Sequence, residues 1–235
     1  MDFKAAKLHE NGWPLTMSAY KVSKAALNAY TRLTAKKFPN IIVNCVHPGY
    51  VVTDMTSQTG FITVEDGAKG PVMAALLPND GPSGNRDFPP QDTFSHDKDP
   101  LNDKVSEMTE DSSDYMIKLS ILVDQLKRCA VVTGANRGIG LEICRQLATK
   151  GVEVILTARN ESRGLEAVEN LNISGLSNVI FHQLDINDST SIACLAKFIE
   201  TRFKKLDILL GSDSQKPKAH VLVLLKRWSE VALKI

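Results

Sequence analysis

In the stretch SAYKVSKAALNAYTRLTAKKFP, Tyr20 and Lys24 stand four apart on a helical pattern, so both side chains leave one face of a helix. A phenol, with a pKa of about 10, is a poor proton donor at neutral pH unless its anion is stabilised. An ammonium group one turn away can provide that stabilisation. The pair therefore suits general acid chemistry at an oxygen that gains negative charge. The spacing alone occurs in any helix, so its weight depends on what stands nearby.

A second group of residues supplies that context. TGANRGIG, Thr133 to Gly140, follows the short apolar run CAVV and precedes a stripe of Ile139, Ile143 and Leu147 spaced four apart. Backbone N–H groups and the positive end of a helix reach a pyrophosphate only where side chains are absent, and Gly134, Gly138 and Gly140 remove them. A strand before and an amphipathic helix after are what a dinucleotide-binding turn requires. Asn136, Arg137 and Ile139 lie within the same turn.

The end of the next strand, VEVILTAR, bears on which dinucleotide is bound. An acid there accepts hydrogen bonds from an adenosine ribose hydroxyl, whereas a guanidinium pairs with a 2′-phosphate. The sequence has Ala158 and Arg159 with no acid, and Arg137 offers a second cation, so NADP is expected rather than NAD. Asp185, in the strand end HQLDI, is expected near the adenine or, equally, as a turn residue.

The elements that position these groups can be read from periodicity. After the glycine turn, strands VEVILTAR, NVIFHQLDI and LDILL alternate with helices ESRGLEAVENLN and STSIACLAKFIETRF, a pattern that implies right-handed crossovers and a parallel sheet. The expected fold class is α/β, a Rossmann-like doubly wound parallel sheet. Ahead of the linker, residues 41–46 read as a strand ending at Pro48-Gly49, a break where open α/β sheets bind ligands. Thr63 and Asp66 form a plausible cap for a helix that runs toward Pro78.

Between these blocks the sequence FPPQDTFSHDKDPLNDKVSEMTEDSSD is rich in Pro, Asp and Ser and too poor in aliphatics to offset its ordering entropy. The division is therefore 1–87, a linker at 88–127, a strand-helix block at 128–210, and a tail at 211–235. In the tail, Val221, Leu224, Leu225, Trp228, Val231, Ala232 and Ile235 fall at helical spacing, which suggests an amphipathic helix covering an exposed sheet edge, with a strand over VLVLL as the alternative.

Composition excludes some roles. Lys+Arg total 28 against 27 Asp+Glu, so no field of one sign exists to recruit nucleic acid or an anionic membrane. The four cysteines, Cys45, Cys129, Cys144 and Cys194, lack CxxC spacing and read as buried thiols of a reducing compartment, with no metal site. No run approaches membrane-spanning length. A cytoplasmic protein is expected.

TGANRGIG, the strand-end LD, SAYKVSK with its YxxxK spacing and HPGYVVT together resemble the short-chain dehydrogenase/reductase family. GWP before the Tyr helix, AKKFP after it and LLPNDGPSG beyond are similar to its plant branch of terpenoid and alkaloid reductases. The resemblance implies that Tyr20 protonates a substrate carbonyl oxygen while Lys24 lowers its pKa and holds the nicotinamide ribose. Val51 and Thr53 would contact the carboxamide or the phosphates, and the turn from Gly134 to Gly140 the pyrophosphate. The implied partner is a small-molecule ketone or alcohol, and a monomer is the default.

The family places the glycine turn first, so the halves stand here in reverse order. The family's middle, with an Asn-Asn-Ala-Gly turn and a strand carrying the serine that orients the carbonyl, has no match, and LDILL runs instead into GSDSQKPKAH. The expected sheet is therefore incomplete and the expected reductase impaired. Two other readings stand beside it: a non-catalytic dinucleotide-binding module, and two neighbouring reductase genes joined without a function of the product's own.

Overall fold

The computed structural model describes residues 18–78, 81–84 and 128–211, with the side chains of 18–21 outside that description. The expected linker and amphipathic tail lie outside the described residues.

Helix α1 spans Ser18–Lys37. A short 3-10 turn at Asp54–Thr56 and helix α2, Val64–Ala75, complete the first block. The second block runs β1 (Cys129–Val132), α3 (Gly138–Thr149), β2 (Glu153–Ala158), α4 (Glu161–Ile173), β3 (Val179–Gln183), α5 (Ser189–Arg202) and β4 (Ile208–Leu210). The strands form one parallel sheet in the order β3-β2-β1-β4. This is the expected α/β, Rossmann-like architecture, incomplete beyond β4 among the described residues.

Local chemistry starts several helices. The Asn160 side chain accepts from the Arg163 N–H at 2.9 Å, and Asp188 accepts from the N–H of Thr190 at 2.9 Å. Thr63 accepts from the Asp66 N–H at 3.1 Å, which is the expected cap of α2. That helix ends at Ala75, three residues before Pro78.

Two cores sandwich the sheet. On one face Ala130, Val132, Val154 and Leu156 pack with Cys144 and Leu147 of α3, Ala167 and Leu171 of α4, and Ala68 and Val72 of α2. On the other, Val131 and Ile155 pack with Ile192, Leu195 and Ile199 of α5. Strands covered on both faces have no polar side to present, which is why CAVV and VILTA read as continuous apolar runs. Burial of each large aliphatic contributes about 1.5–3 kcal/mol. Among the described residues no helix is long and apolar enough to cross a membrane.

One expected element is corrected. Residues 41–46 form no named strand: Val46 alone is a bridge residue, and the run is not one of the four strands of the sheet. The backbone groups of this run find other partners: the Val43 N–H donates to Ser83 Oγ at 3.0 Å, and the Val43 carbonyl accepts from the Gly84 N–H at 2.8 Å. A strand exists only where a neighbour offers a ladder, and none of the four described strands pairs with this run.

Candidate functional site

The glycine turn is fastened at the carboxyl end of the sheet by backbone bonds to both neighbours of β1. The Thr133 N–H donates to the Leu210 carbonyl at 2.9 Å, and the Ala135 N–H to the Thr157 carbonyl at 2.9 Å. The Thr157 hydroxyl, fully buried, donates to the Val132 carbonyl at 3.0 Å. Gly134 and Gly138 adopt φ of +63° and +58°, a region that side chains disfavour. A Cβ on Gly140 would lie 2.9 Å from Ala135 Cα and 2.9 Å from the Gly134 carbonyl oxygen, so the helix can approach the turn only as glycine.

These features fit a bound pyrophosphate. The helix that follows is 12 residues long, and its cap residue, Arg137, makes no side-chain cap to it. The first N–H groups of a helix have no acceptor within the helix and carry its positive dipole end. Gly134 is exposed, Asn136 and Ile139 are half-buried, and among the described residues a Cβ on Gly138 would approach Thr53 Cγ2, at 3.7 Å.

That threonine belongs to the first block. Val51 is 2% exposed and bridges in parallel to Ile62, and Gly67 of α2 leaves room for its methyl groups. From this anchor the chain passes Thr53 into the 3-10 turn. The Thr56 hydroxyl donates to the Val51 carbonyl at 2.8 Å and accepts from the Thr53 N–H at 3.0 Å, fixing the bend. Asp54 then meets the glycine turn directly, its Oδ2 accepting from the Arg137 guanidinium at 2.8 Å.

Helix α2 docks on α3 through a polar contact beside the shared core. Gln146 Nε2 donates to the Glu65 carbonyl at 3.0 Å and to Glu142 Oε1 at 2.9 Å. Glu142, 8% exposed, also accepts from Arg145 Nε at 2.8 Å. Burial alone raises the pKa of this carboxyl, but the hydrogen bonds from Arg145 and Gln146 outweigh it and hold the group below the ordinary carboxylate value.

Of the residues singled out in the sequence, Thr53 is brought beside Gly138, Arg137 reaches the next residue of the same loop, Asp54, and Val51 anchors that loop from within the first block. Arg159 lies exposed just past β2, where its carbonyl accepts from Gln183 Nε2 at 2.9 Å. Asp185 Oδ1 accepts from the Asn187 N–H at 2.9 Å, which gives the turn reading of this residue a physical basis. Tyr20 falls in the first turn of α1, among the residues whose side chains are not described, and Lys24 is half-buried one turn on. The contacts that join the halves come from Asp54 and α2. Sequence reasoning passed over Asp54 and Gln146, since a polar pair between segments some 80 residues apart leaves no local spacing to detect.

Comparison with known proteins covers both blocks. A profile described as short chain dehydrogenase matches residues 128–225, and one described as Enoyl-(Acyl carrier protein) reductase matches residues 6–73. Both blocks thus resemble the short-chain dehydrogenase/reductase family. The chain is 57% identical over 95 residues to (+)-neomenthol dehydrogenase of Arabidopsis thaliana, covering 39% of this chain and 32% of that protein. Salutaridine reductase of Papaver bracteatum is 58% identical over 86 residues, covering 36% of this chain and 28% of that protein. Carbonyl reductase (NADPH) 1 of Bos taurus is 48% identical over 84 residues, covering 35% and 30%. The alignment with each of these reductases thus spans about a third of that relative's length.

Proposed function

We propose that this chain is by descent an NADPH-dependent oxidoreductase that reduces a ketone of a small apolar molecule, terpenoid- or alkaloid-like, and that its turnover is impaired. The observation that carries this reading is the docking of Thr53 and Asp54 against Gly138 and Arg137, which joins the family's two functional halves despite their reversed order. In this reading Gly134, Asn136, Gly138, Ile139 and Gly140 hold the pyrophosphate. Val51 and Thr53 lie at the carboxamide or phosphate side, Arg137 and Arg159 recognise the 2′-phosphate, and Asp185 sits toward the adenine. Bound NADPH supplies the hydride. Tyr20 delivers a proton to the substrate oxygen, and Lys24 stabilises the phenolate left behind. Residues 1–87 and 128–210 work as one unit in a cytoplasmic monomer, with 88–127 as linker and 211–235 as a divergent tail.

Impairment is supported by the run 41–46, which is not one of the four strands of the sheet, and by the absence of a match to the family's serine in this sequence. Loss of one preorganised donor to a developing oxyanion costs about 10²–10³ in rate. The test is oxidation of NADPH, followed by absorbance, with a panel of cyclic ketones. Slow turnover abolished by Tyr20→Phe is the expected result, and turnover indifferent to that change would remove the mechanism.

A second reading, a dinucleotide-binding module without catalysis, is favoured by the backbone bonds that fasten the nucleotide turn, Thr133 to Leu210 and Ala135 to Thr157, since both lie within 128–211. Calorimetry separates the two: binding without turnover supports the module, and no binding of either nucleotide excludes both.

A further inference from the structure

Arg137, one of the two guanidinium groups that the reading above assigns to the 2′-phosphate, is already engaged. Its Nη1 donates to Asp54 Oδ2 at 2.8 Å, and the other Asp54 oxygen accepts from Gln58 Nε2 at 3.1 Å. The carboxylate is held in place by its own loop: the Gln58 N–H donates to the Thr53 carbonyl at 3.0 Å, and the Ser57 N–H to the Asp54 carbonyl at 3.1 Å. Both charged side chains remain about two-thirds exposed, at 66% and 63%. An exposed pair of this kind is weak and exchangeable.

We infer that Asp54 is a built-in competitor for the cofactor's 2′-phosphate, setting how strongly this chain prefers the phosphorylated dinucleotide. The inference rests on the proposed NADPH binding. A phosphate dianion seated on Arg137 stands beside a carboxylate that its loop holds still, so binding must break the ion pair and bear the repulsion between like charges. A dinucleotide without the 2′-phosphate leaves the pair intact. Asp54 therefore lowers affinity for NADPH selectively, and it also ties the loop carrying Thr53 to the glycine turn while the 2′-phosphate is absent.

The experiment is calorimetric titration of the full chain, wild type and Asp54→Asn, with NADPH and with NADH. Asn keeps the size and the contact to Gln58 while removing the charge. NADPH binding is expected to tighten about 1.5- to fivefold, the range of an exposed charge pair, with NADH affinity unchanged. In the Arg137→Met background the substitution is expected to lose most of this effect, the non-additivity that marks a direct coupling. Equal or weaker NADPH binding by Asp54→Asn, or the same gain for both nucleotides, overturns the inference. Failure of the wild type to bind either nucleotide overturns the reading beneath it instead.

Discussion

Gln146 of α3 donates its side-chain N–H to the backbone carbonyl of Glu65 in the first turn of α2, 81 positions earlier in the chain. This contact sits beside Ala68 and Val72, which complete the core on that face of the sheet, so it lies where the first block is seated on the second. Loss of a part-buried donor of this sort costs about 0.5–1.5 kcal/mol, and Gln146→Ala also strips a partner from Glu142. The expected outcome is a lower denaturation midpoint, and faster proteolysis within α2 than within β1 or β2. Uniform destabilisation, with α2 no more sensitive than the sheet, would contradict the seating role.

Glu142 makes the same interface sensitive to acid. Its folded-state pKa lies below the ordinary value of 4.5, so the stability it contributes is complete above that value and is lost as pH falls through the depressed one. Thermal melts from neutral pH downward are expected to show a steeper loss for wild type than for Glu142→Gln below about pH 4.5. At neutral pH the variant is expected to be less stable by about 1–3 kcal/mol, because Arg145 loses its charged acceptor. Parallel pH profiles for the two proteins would refute this assignment.

How much of this could be read beforehand depends on the range of the signal. The βα alternation from 129 to 210 was legible because a strand buried on both faces and a helix with a four-residue stripe each leave a local periodicity. The Thr63 cap was legible because all its parts fall within four residues. The run 41–46 has a strand's composition, but strand formation depends on a partner elsewhere, and in this chain Ser83 and Gly84 take up the backbone of Val43 and leave Val46 alone as a bridge residue. The Asp54–Arg137 pair was invisible for the related reason that charge pairing across 83 residues has no spacing rule.

Gly138 and Gly140 should respond differently to alanine. At Gly140 the added carbon meets backbone of Ala135 and Gly134, which cannot yield without moving the turn, so Gly140→Ala is expected to cost about 1–3 kcal/mol and to abolish nucleotide binding. At Gly138 there is room beside Thr53 Cγ2, and the cost is the left-handed backbone, about 1–2 kcal/mol. Melting curves with titrations of both variants check this, with weakened binding in a largely folded protein expected for Gly138→Ala.

The thiols give a test that needs no ligand. Burial, reinforced by the nearby charges of Asp207 and Glu153, pushes the Cys129 thiol up to about 12, and burial raises Cys144 further. Against the expected burial of all four thiols, Cys194 is exposed on α5 and Cys45 is half-buried, because neither faces the packed core. Since the thiolate is the reactive form, Cys194 is expected to be alkylated readily at pH 8 while Cys129 and Cys144 stay unmodified until denaturant is added. Peptide mapping after a timed pulse of iodoacetamide reads this directly. Early labelling of Cys144 would mean that α3 does not pack on the sheet, and with it the glycine turn would lose the helix that positions it.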